Sequence, residues 1–481
     1  MRATAIAHEP AATMQHSNTS IVFDTELIQR YDINGPRYTS YPTAVQFLTD
    51  NGHPRFTIDQ YQTAATKSNL SGGPLSIYVH VPFCTSPCFY CGCNRVITRD
   101  RSNSDVYLTH LFREIELQAT LFDNSRPVQQ LHFGGGTPTF LSMDQFRQLM
   151  NKLHQHFNLV SDGSHEFSIE IDPRTLTPNM IQELASLGFN RLSLGVQDFD
   201  REVQVAVNRV QSVEQTLNAI ESAHQQGFKS VNVDLIYGLP KQTTEKFSHT
   251  LDLIINANPE RIALYGYAHM PHLFKAQRQI NSDDLPDAAT RLALLQLSIA
   301  KLSAAGYVYI GMDHFARSDD ELVQAQRDGT LQRNFQGYST RADCDLIALG
   351  VSAISKVGNV YSQNAKTLKE YYAPLESNKL PIQRGIVLDS DDEIRRTVIQ
   401  QVMCHGHLDF DQLSKQLNID FTWYFLHEIL ELQTLQRDGL IVMDDNSLRV
   451  MPKGWLLLRH VAMVFDAYFK HASQRQFSKA V

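Results

Sequence analysis

The chain of 481 residues has no stretch of eighteen uninterrupted apolar residues, so it offers no membrane-spanning helix. The start, Met1 to Ser20, lacks the apolar run of a secretory signal, and its single Arg2 beside the acidic Glu9 makes a poor transit peptide. The expectation is a cytoplasmic protein with no membrane span. Basic charge is also short. Lys and Arg number 43 against 51 Asp and Glu, a net charge of -8, which leaves no extended basic field for nucleic acid. There is no low-complexity tract and no fixed-period repeat. With 42% hydrophobic and 20% charged residues the composition is ordinary globular, and the length calls for two or three modules.

Cysteine is scarce too, six in all, and that makes its distribution informative. Uniform scatter would put about one-eighth of a cysteine in any ten residues, yet Cys84, Cys88, Cys91 and Cys93 share one such window. Cys344 and Cys404 lie far away, so a disulfide framework does not explain the cluster, and metal or redox chemistry does. Cys84-Thr85-Ser86-Pro87-Cys88-Phe89-Tyr90-Cys91 spells CxxxCxxC. Three thiolates on one compact loop can reach three irons of a cubane and leave the fourth open. The other readings are a structural zinc site using all four cysteines, or reactive thiols in an electron-transfer loop.

From residue 75 onward, short β-branched runs alternate with longer amphipathic stretches, the pattern of repeated βα units on a parallel sheet. Six strands are expected: Ser76 to Val81, Gln130 to Phe133, Glu166 to Ile171, Arg191 to Val196, Ser230 to Ile236 and Arg261 to Tyr267. A whole or partial barrel puts function at the carboxyl ends of its strands. The polar and glycine-rich clusters sit there: the cysteine loop after the first strand, Gly134-Gly135-Gly136-Thr137 after the second, and Glu170 and Asp172 at the third. Gln197 and Asp198 follow the fourth, Asp234 and Tyr237-Gly238 end the fifth, and Ala268-His269 follow the sixth. The glycines allow close backbone approach to a ligand, and the segment lacks the Gly-Lys-Ser/Thr of a phosphate loop. Glu170 and Asp172, at i and i+2, share one face if the strand continues that far.

Before the barrel, Pro36 to Thr43 is turn-rich and aromatic and reads as an arm or lid. After about residue 385 the βα rhythm gives way to amphipathic helices, Glu393 to Met403 and Trp423 to Leu435, then a hairpin around Asp444-Asp445-Asn446 and a helix over Trp455 to Phe469. The order of these elements is that of a winged helix, but the mixed charge carries no basic stripe, so a lid or cap is the better reading. The expected division is a disordered N-terminus over 1-28, an arm over 29-60, a catalytic domain over 61-384 and a mainly helical domain over 385-481.

CxxxCxxC after the first strand of a βα barrel, with a glycine triplet after the second, resembles the radical S-adenosylmethionine superfamily. Within it, Tyr78-Val79-His80-Val81-Pro82-Phe83, Cys91-Gly92-Cys93-Asn94, Ile169 to Arg174, Leu194 to Phe199, Asp234 to Pro240, Gly311 to Ala316 and Asn334 to Tyr338 are similar to the oxygen-independent coproporphyrinogen III oxidase family. The resemblance runs from about Gln29 to the C-terminus. It implies an α/β fold, a partial (β/α)6 barrel like that of triosephosphate isomerase, with the arm and the C-terminal helical domain attached. It implies conversion of the ring A and B propionates of coproporphyrinogen III to vinyl groups, giving protoporphyrinogen IX. A [4Fe-4S] cluster and two molecules of S-adenosylmethionine would serve a monomer, with an electron donor to the cluster and a terminal electron acceptor.

By the same resemblance, Cys84, Cys88 and Cys91 would hold the cluster. Tyr78, Gly135, Glu170 and Ile354 would contact the first S-adenosylmethionine, with Tyr78 and Glu170 counted as catalytic. Tyr90, Gly136, Thr137, Gln197, Arg209, Asp234 and Ala268 would contact the second. Position 90 is Tyr where the related pattern has Phe, so an aromatic ring is kept. Arg37, Arg333 and Gln336 are candidates for the substrate carboxylates. His80, His269 and His314 could contact substrate, although a lone histidine near a strand end is more often a structural hydrogen-bonder, and Cys93 would lie beside the site without ligating the cluster, its role undecided. The rival function is a heme chaperone built on the same barrel. Cys93, the Arg37 to Thr43 arm and the Asn334 to Tyr338 segment argue against it.

Overall fold

The computed structural model describes residues 21-47, 56-341 and 344-469. Six parallel strands, β1 (Leu75–Val81), β2 (Pro127–Gly135), β3 (Glu166–Ile171), β4 (Arg191–Gln197), β5 (Ser230–Tyr237) and β6 (Arg261–Gly266), pair in sequence order. They match the six expected strands to within three residues at each end. A seventh parallel strand, Asp345–Leu349, joins the other side of β1, and three antiparallel strands continue the sheet from it to Ile382–Val387. Beyond β6 the sheet ends in the antiparallel pair His314–Arg317 and Tyr307–Gly311. The barrel is therefore partial, as expected, with antiparallel extensions on both flanks.

The period-2 alternation of the strands sorts their side chains. Ile77, Val79, Leu131, Phe133, Ile169, Leu194, Val233 and Leu264 face the outer helices and are essentially inaccessible. Each contributes about 1.5 to 3 kcal/mol of burial. The alternate positions face inward and are polar: Ser76, Tyr78 and His80 on β1, Gln130 and His132 on β2, Glu166, Ser168 and Glu170 on β3, Ser193 on β4 and Asp234 on β5. A lumen lined this way is a polar cavity rather than the packed apolar interior of a closed barrel.

The helix Thr25–Arg30 begins inside the stretch expected to be disordered over 1-28. Asp24 caps it by accepting from the Leu27 N–H, and buried Leu27 and Ile28 fix it to the body; residues 1-20 lie outside the described residues. The arm packs on the C-terminal module: Tyr38 donates to Asp466 (2.9 Å), and the Ala467 N–H donates to Tyr41 Oη (3.2 Å). That module contains the long helix Ser390–His405 and a three-stranded sheet whose Ile441–Met443 and Ser447–Val450 flank the expected hairpin. The expected helix over Trp455 to Phe469 is regular only from Leu458 to Val464, after a short 3-10 turn. Among the described residues no helix is long and apolar enough to cross a membrane.

Candidate functional site

The cysteine loop leaves the carboxyl end of β1 and is clamped from several sides. The Arg95 guanidinium donates to the carbonyls of Cys91 (2.9 Å) and Cys88 (3.1 Å). The Gly136 N–H donates to Val81 O (2.8 Å) and the Thr137 N–H to Phe83 O (2.9 Å), so the glycine turn after β2 is stitched to the loop. A Cβ on Gly136 would lie 2.6 Å from the backbone carbonyl of Pro82, and Gly135, at φ +112°, would drive one into the His80 ring. Only glycine fits either place.

The thiols of Cys84, Cys88 and Cys91 face a cleft of about 180 Å³ at the barrel mouth. Arg209 Nη1 donates to Asp172 (3.0 Å) and approaches Cys88 Sγ (3.4 Å), while Arg174 Nη2 donates to Asp172 (2.6 Å) and lies 3.5 Å from the same sulfur. Thr137 Oγ1 donates to Cys84 Sγ (3.4 Å). Burial pushes the Cys84 thiol up to about 11, whereas the neighbouring Cys93 thiol brings Cys91 down to about 6. Asp172 is pushed up by burial, but the two arginines outweigh that and hold it below the usual carboxylate range. Among the described residues no three His, Cys, Asp or Glu side chains converge on a single ion. Thiols that line a cavity without meeting at a point suit a cubane, each iron taking one sulfur, better than a tetrahedral zinc site.

Of the expected contact residues, Tyr90, Gly135, Gly136, Thr137, Glu170, Gln197, Arg209 and Asp234 line this cleft together with the thiols. Tyr78, Ala268 and Ile354 are not among its lining residues. Tyr78 stacks on His132 at 5.7 Å and its hydroxyl lies 3.0 Å from His80 Nδ1. Ala268 O accepts from Gln277 Nε2 (3.1 Å), which also donates to Tyr90 O (3.0 Å) and so ties the end of β6 to the cysteine loop. Ile354 opens the strand Ile354–Val357 and packs beside Phe47 and Tyr361.

Glu170 accepts from the Gly135 N–H (3.1 Å) and lies 3.3 Å from His132 Nε2. Burial raises its carboxyl, but these partners more than offset that and the net shift is downward. Glu170 is thereby ionised, while Asp234 is pushed up to about 7 by burial and then by the charge of Glu170. Gln197 sits at φ +66° in the irregular end of β4, with its buried Oε1 unpaired. A non-glycine residue held there, with an acceptor left over, marks a position shaped for a ligand.

A second cavity, of about 170 Å³, fills the lumen below and shares Glu170, Ser193 and Asp234 with the cleft. Gln336 lines it with a buried, unpaired Nε2. Arg333 is buried with its guanidinium 4.8 Å from the Tyr338 ring centre, and Arg37 pairs with Asp313 at 3.3 Å. His80, His269 and His314 all make local hydrogen bonds, to Asn94 O, the Tyr267 hydroxyl and Met312 O. Cys93 is exposed, and its N–H donates to Cys91 Sγ (3.4 Å). The sequence reading passed over Arg95, His132 and Gln277, each a lone polar residue in no recognisable pattern.

Residues 78-254 match the model of the radical SAM superfamily, and residues 388-457 match that of the HemN C-terminal domain. The oxygen-independent coproporphyrinogen III oxidase of Pseudomonas aeruginosa is 50% identical over 96% of this chain and 99% of its own length. That of Escherichia coli K12 is 46% identical over 96% of this chain and 99% of its own. The solved structure of coproporphyrinogen III oxidase (HemN) from Escherichia coli, described as a radical SAM enzyme, superposes with a TM-score of 0.88 at 45% identity. It covers 93% of this chain and all of that one.

Proposed function

This chain belongs to the oxygen-independent coproporphyrinogen III oxidases, which are radical SAM enzymes, and from that premise we propose how its own residues carry the reaction. The reaction is the oxidative decarboxylation of the ring A and ring B propionates of coproporphyrinogen III to vinyl groups, giving protoporphyrinogen IX. The observation that carries the assignment of residues is the convergence of three thiols, two arginines and the Gly135-Gly136 backbone on the mouth of a polar lumen.

Cys84, Cys88 and Cys91 would hold the [4Fe-4S] cluster, which with S-adenosylmethionine supplies a 5'-deoxyadenosyl radical able to take a hydrogen atom from a propionate β-carbon. Arg174 and Arg209 approach Cys88 Sγ and tie it to Asp172, which fixes that side of the loop. Gly135 and Gly136 present bare backbone to the first and second S-adenosylmethionine, beside Glu170 and Thr137. Glu170, held ionised by His132 and the Gly135 N–H, is suited to accept from an ammonium group. Arg209 is suited to pair with a carboxylate, and Tyr90, Gln197, Asp234 and Ala268 complete the second position. Tyr78, on β1, and Ile354, at the start of the strand Ile354–Val357, would contact the first. The protein's part is to orient these groups and keep water from the radical. The reading requires an electron donor and a terminal acceptor and takes the chain as a cytoplasmic monomer.

Reconstituted protein is assayed anaerobically with coproporphyrinogen III, S-adenosylmethionine and a strong reductant. Protoporphyrinogen IX and 5'-deoxyadenosine are expected from the wild type and from neither in Cys88→Ser. Deoxyadenosine without porphyrinogen conversion would defeat the substrate assignment, and heme retained without any turnover would favour a chaperone.

A further inference from the structure

The lumen continues into a third cavity, of about 370 Å³, between the inward face of the strands that extend the sheet from Asp345 and the helix Ser390–His405. It shares Gln130 and Asn334 with the lumen cavity, which in turn shares its upper wall with the cysteine cleft; no residue lines both the cleft and this third cavity. Arg333, Arg341, Lys356 and Arg396 line it, and among the described residues no aspartate or glutamate does. Arg341 is neutralised by Glu166 at 3.2 Å. Arg333 and Arg396 have no ion pair among the described residues.

Arg333 is only 5% exposed, and its Nε and Nη1 are buried without a hydrogen-bond partner, as is Nη1 of Arg396. A buried guanidinium with idle donors is unfavourable until an anion meets it. The neighbours register the same positive field. His314 is pushed down to about 4 by burial and then by the charge of Arg333, and Arg459 is lowered by burial and Arg37 and, to a lesser degree, by Arg333.

The reaction removes the carboxylates of rings A and B and leaves those of rings C and D. We propose that this cavity binds the retained ring C and D propionates, with Arg333 and Arg396 as their paired donors, so that the opposite side of the macrocycle is presented at the barrel mouth. The inference rests on the function given above. The lumen cavity lies between this one and the cysteine cleft, so the carboxylates held here are those farthest from the reacting carbon. The planar forked guanidinium matches a carboxylate in two-point fashion.

The test compares wild type with Arg396→Ala, Arg396→Lys and Arg333→Gln. Expected for Arg396→Ala is a tenfold or larger rise in KM for coproporphyrinogen III with kcat within twofold, partly recovered in Arg396→Lys. The Ki of protoporphyrinogen IX, which keeps only the ring C and D carboxylates, should rise by the same factor. Unchanged KM and Ki in Arg396→Ala overturn the proposal, and so does a raised KM with unchanged Ki, which would assign the cavity to the reacting carboxylates. Arg396 is only half-buried, so it decides the matter even if Arg333→Gln fails to fold. Should the wild type not turn over coproporphyrinogen III, the function fails separately, and anaerobic titration of the same variants with that porphyrinogen still reads the cavity.

Discussion

Glu114 shows how one residue can be set by its surroundings without serving the reaction. It is fully buried on the helix Ser102–Ala119 and accepts from the Gly350 N–H (2.7 Å), Asn364 Nδ2 (2.6 Å) and the Tyr371 hydroxyl (2.5 Å). Burial still dominates and raises its carboxyl to about 7. An acid raised in the folded state favours folding fully below its unfolded pKa and loses that contribution as pH climbs through the folded value. Between about pH 4.5 and 7 the wild type should lose on the order of 3 kcal/mol relative to Glu114→Gln. Urea unfolding of both proteins from pH 5 to 8 checks this; parallel profiles would mean that Glu114 is ionised throughout. Nothing in the sequence singles out Glu114, because its environment is assembled from residues more than two hundred positions away. The cluster cysteines were legible for the opposite reason, their whole chemistry being written in eight consecutive residues. Arg95 and His132 fall between these cases: their partners are in nearby segments, but a single arginine or histidine carries no spacing to read.

Among elements, β1 to β6 were readable because one face of each is apolar and the other polar, and that period survives in the sequence. The strand Asp345–Leu349 was missed because all five of its residues are buried and no alternation shows. The antiparallel extension that follows was missed with it, although it forms the wall of the basic cavity. The helix Ser390–His405 supplies the other wall and was expected three residues short at its start and two at its end. Its beginning is set by Asp389, which accepts from the Asp392 N–H (2.8 Å) while Asp392 accepts back from the Asp389 N–H (3.4 Å). Asp391, Asp392 and Glu393 add negative charge to the first turn, where the helix dipole favours it. Replacing Asp389 by Ala should cost about 1 kcal/mol. Calorimetry should then show a melting point lower by about 1 °C, with deoxyadenosine formation retained.

On the scale of the whole molecule, the second hydrophobic core crosses the boundary expected at residues 384 and 385. It joins Leu27 of the first helix, Tyr38 and Tyr41 of the arm and Ile310 and Met312 of the sheet edge to Val398, Phe425 and Val461 of the C-terminal module. A chain ending at residue 384 should therefore expose that apolar edge. It is expected to bind a hydrophobic dye and elute as aggregates in size-exclusion chromatography; a monodisperse fragment would mean that the first core stands alone. The change in rhythm near residue 385 was legible, because it is abrupt in the sequence itself. The shared core was not, since it is built from segments that carry no mutual signal until they meet.

The hydrogen bonds from Tyr38 to Asp466 and from Ala467 to Tyr41 span 428 and 426 residues. They also impose a timetable on biosynthesis. The arm leaves the ribosome more than four hundred residues ahead of the residues that anchor it. Throughout that interval the cysteine loop and glycine turn are already made while the arm still lacks its latch, so the arm can settle only after the barrel that follows it has been synthesised.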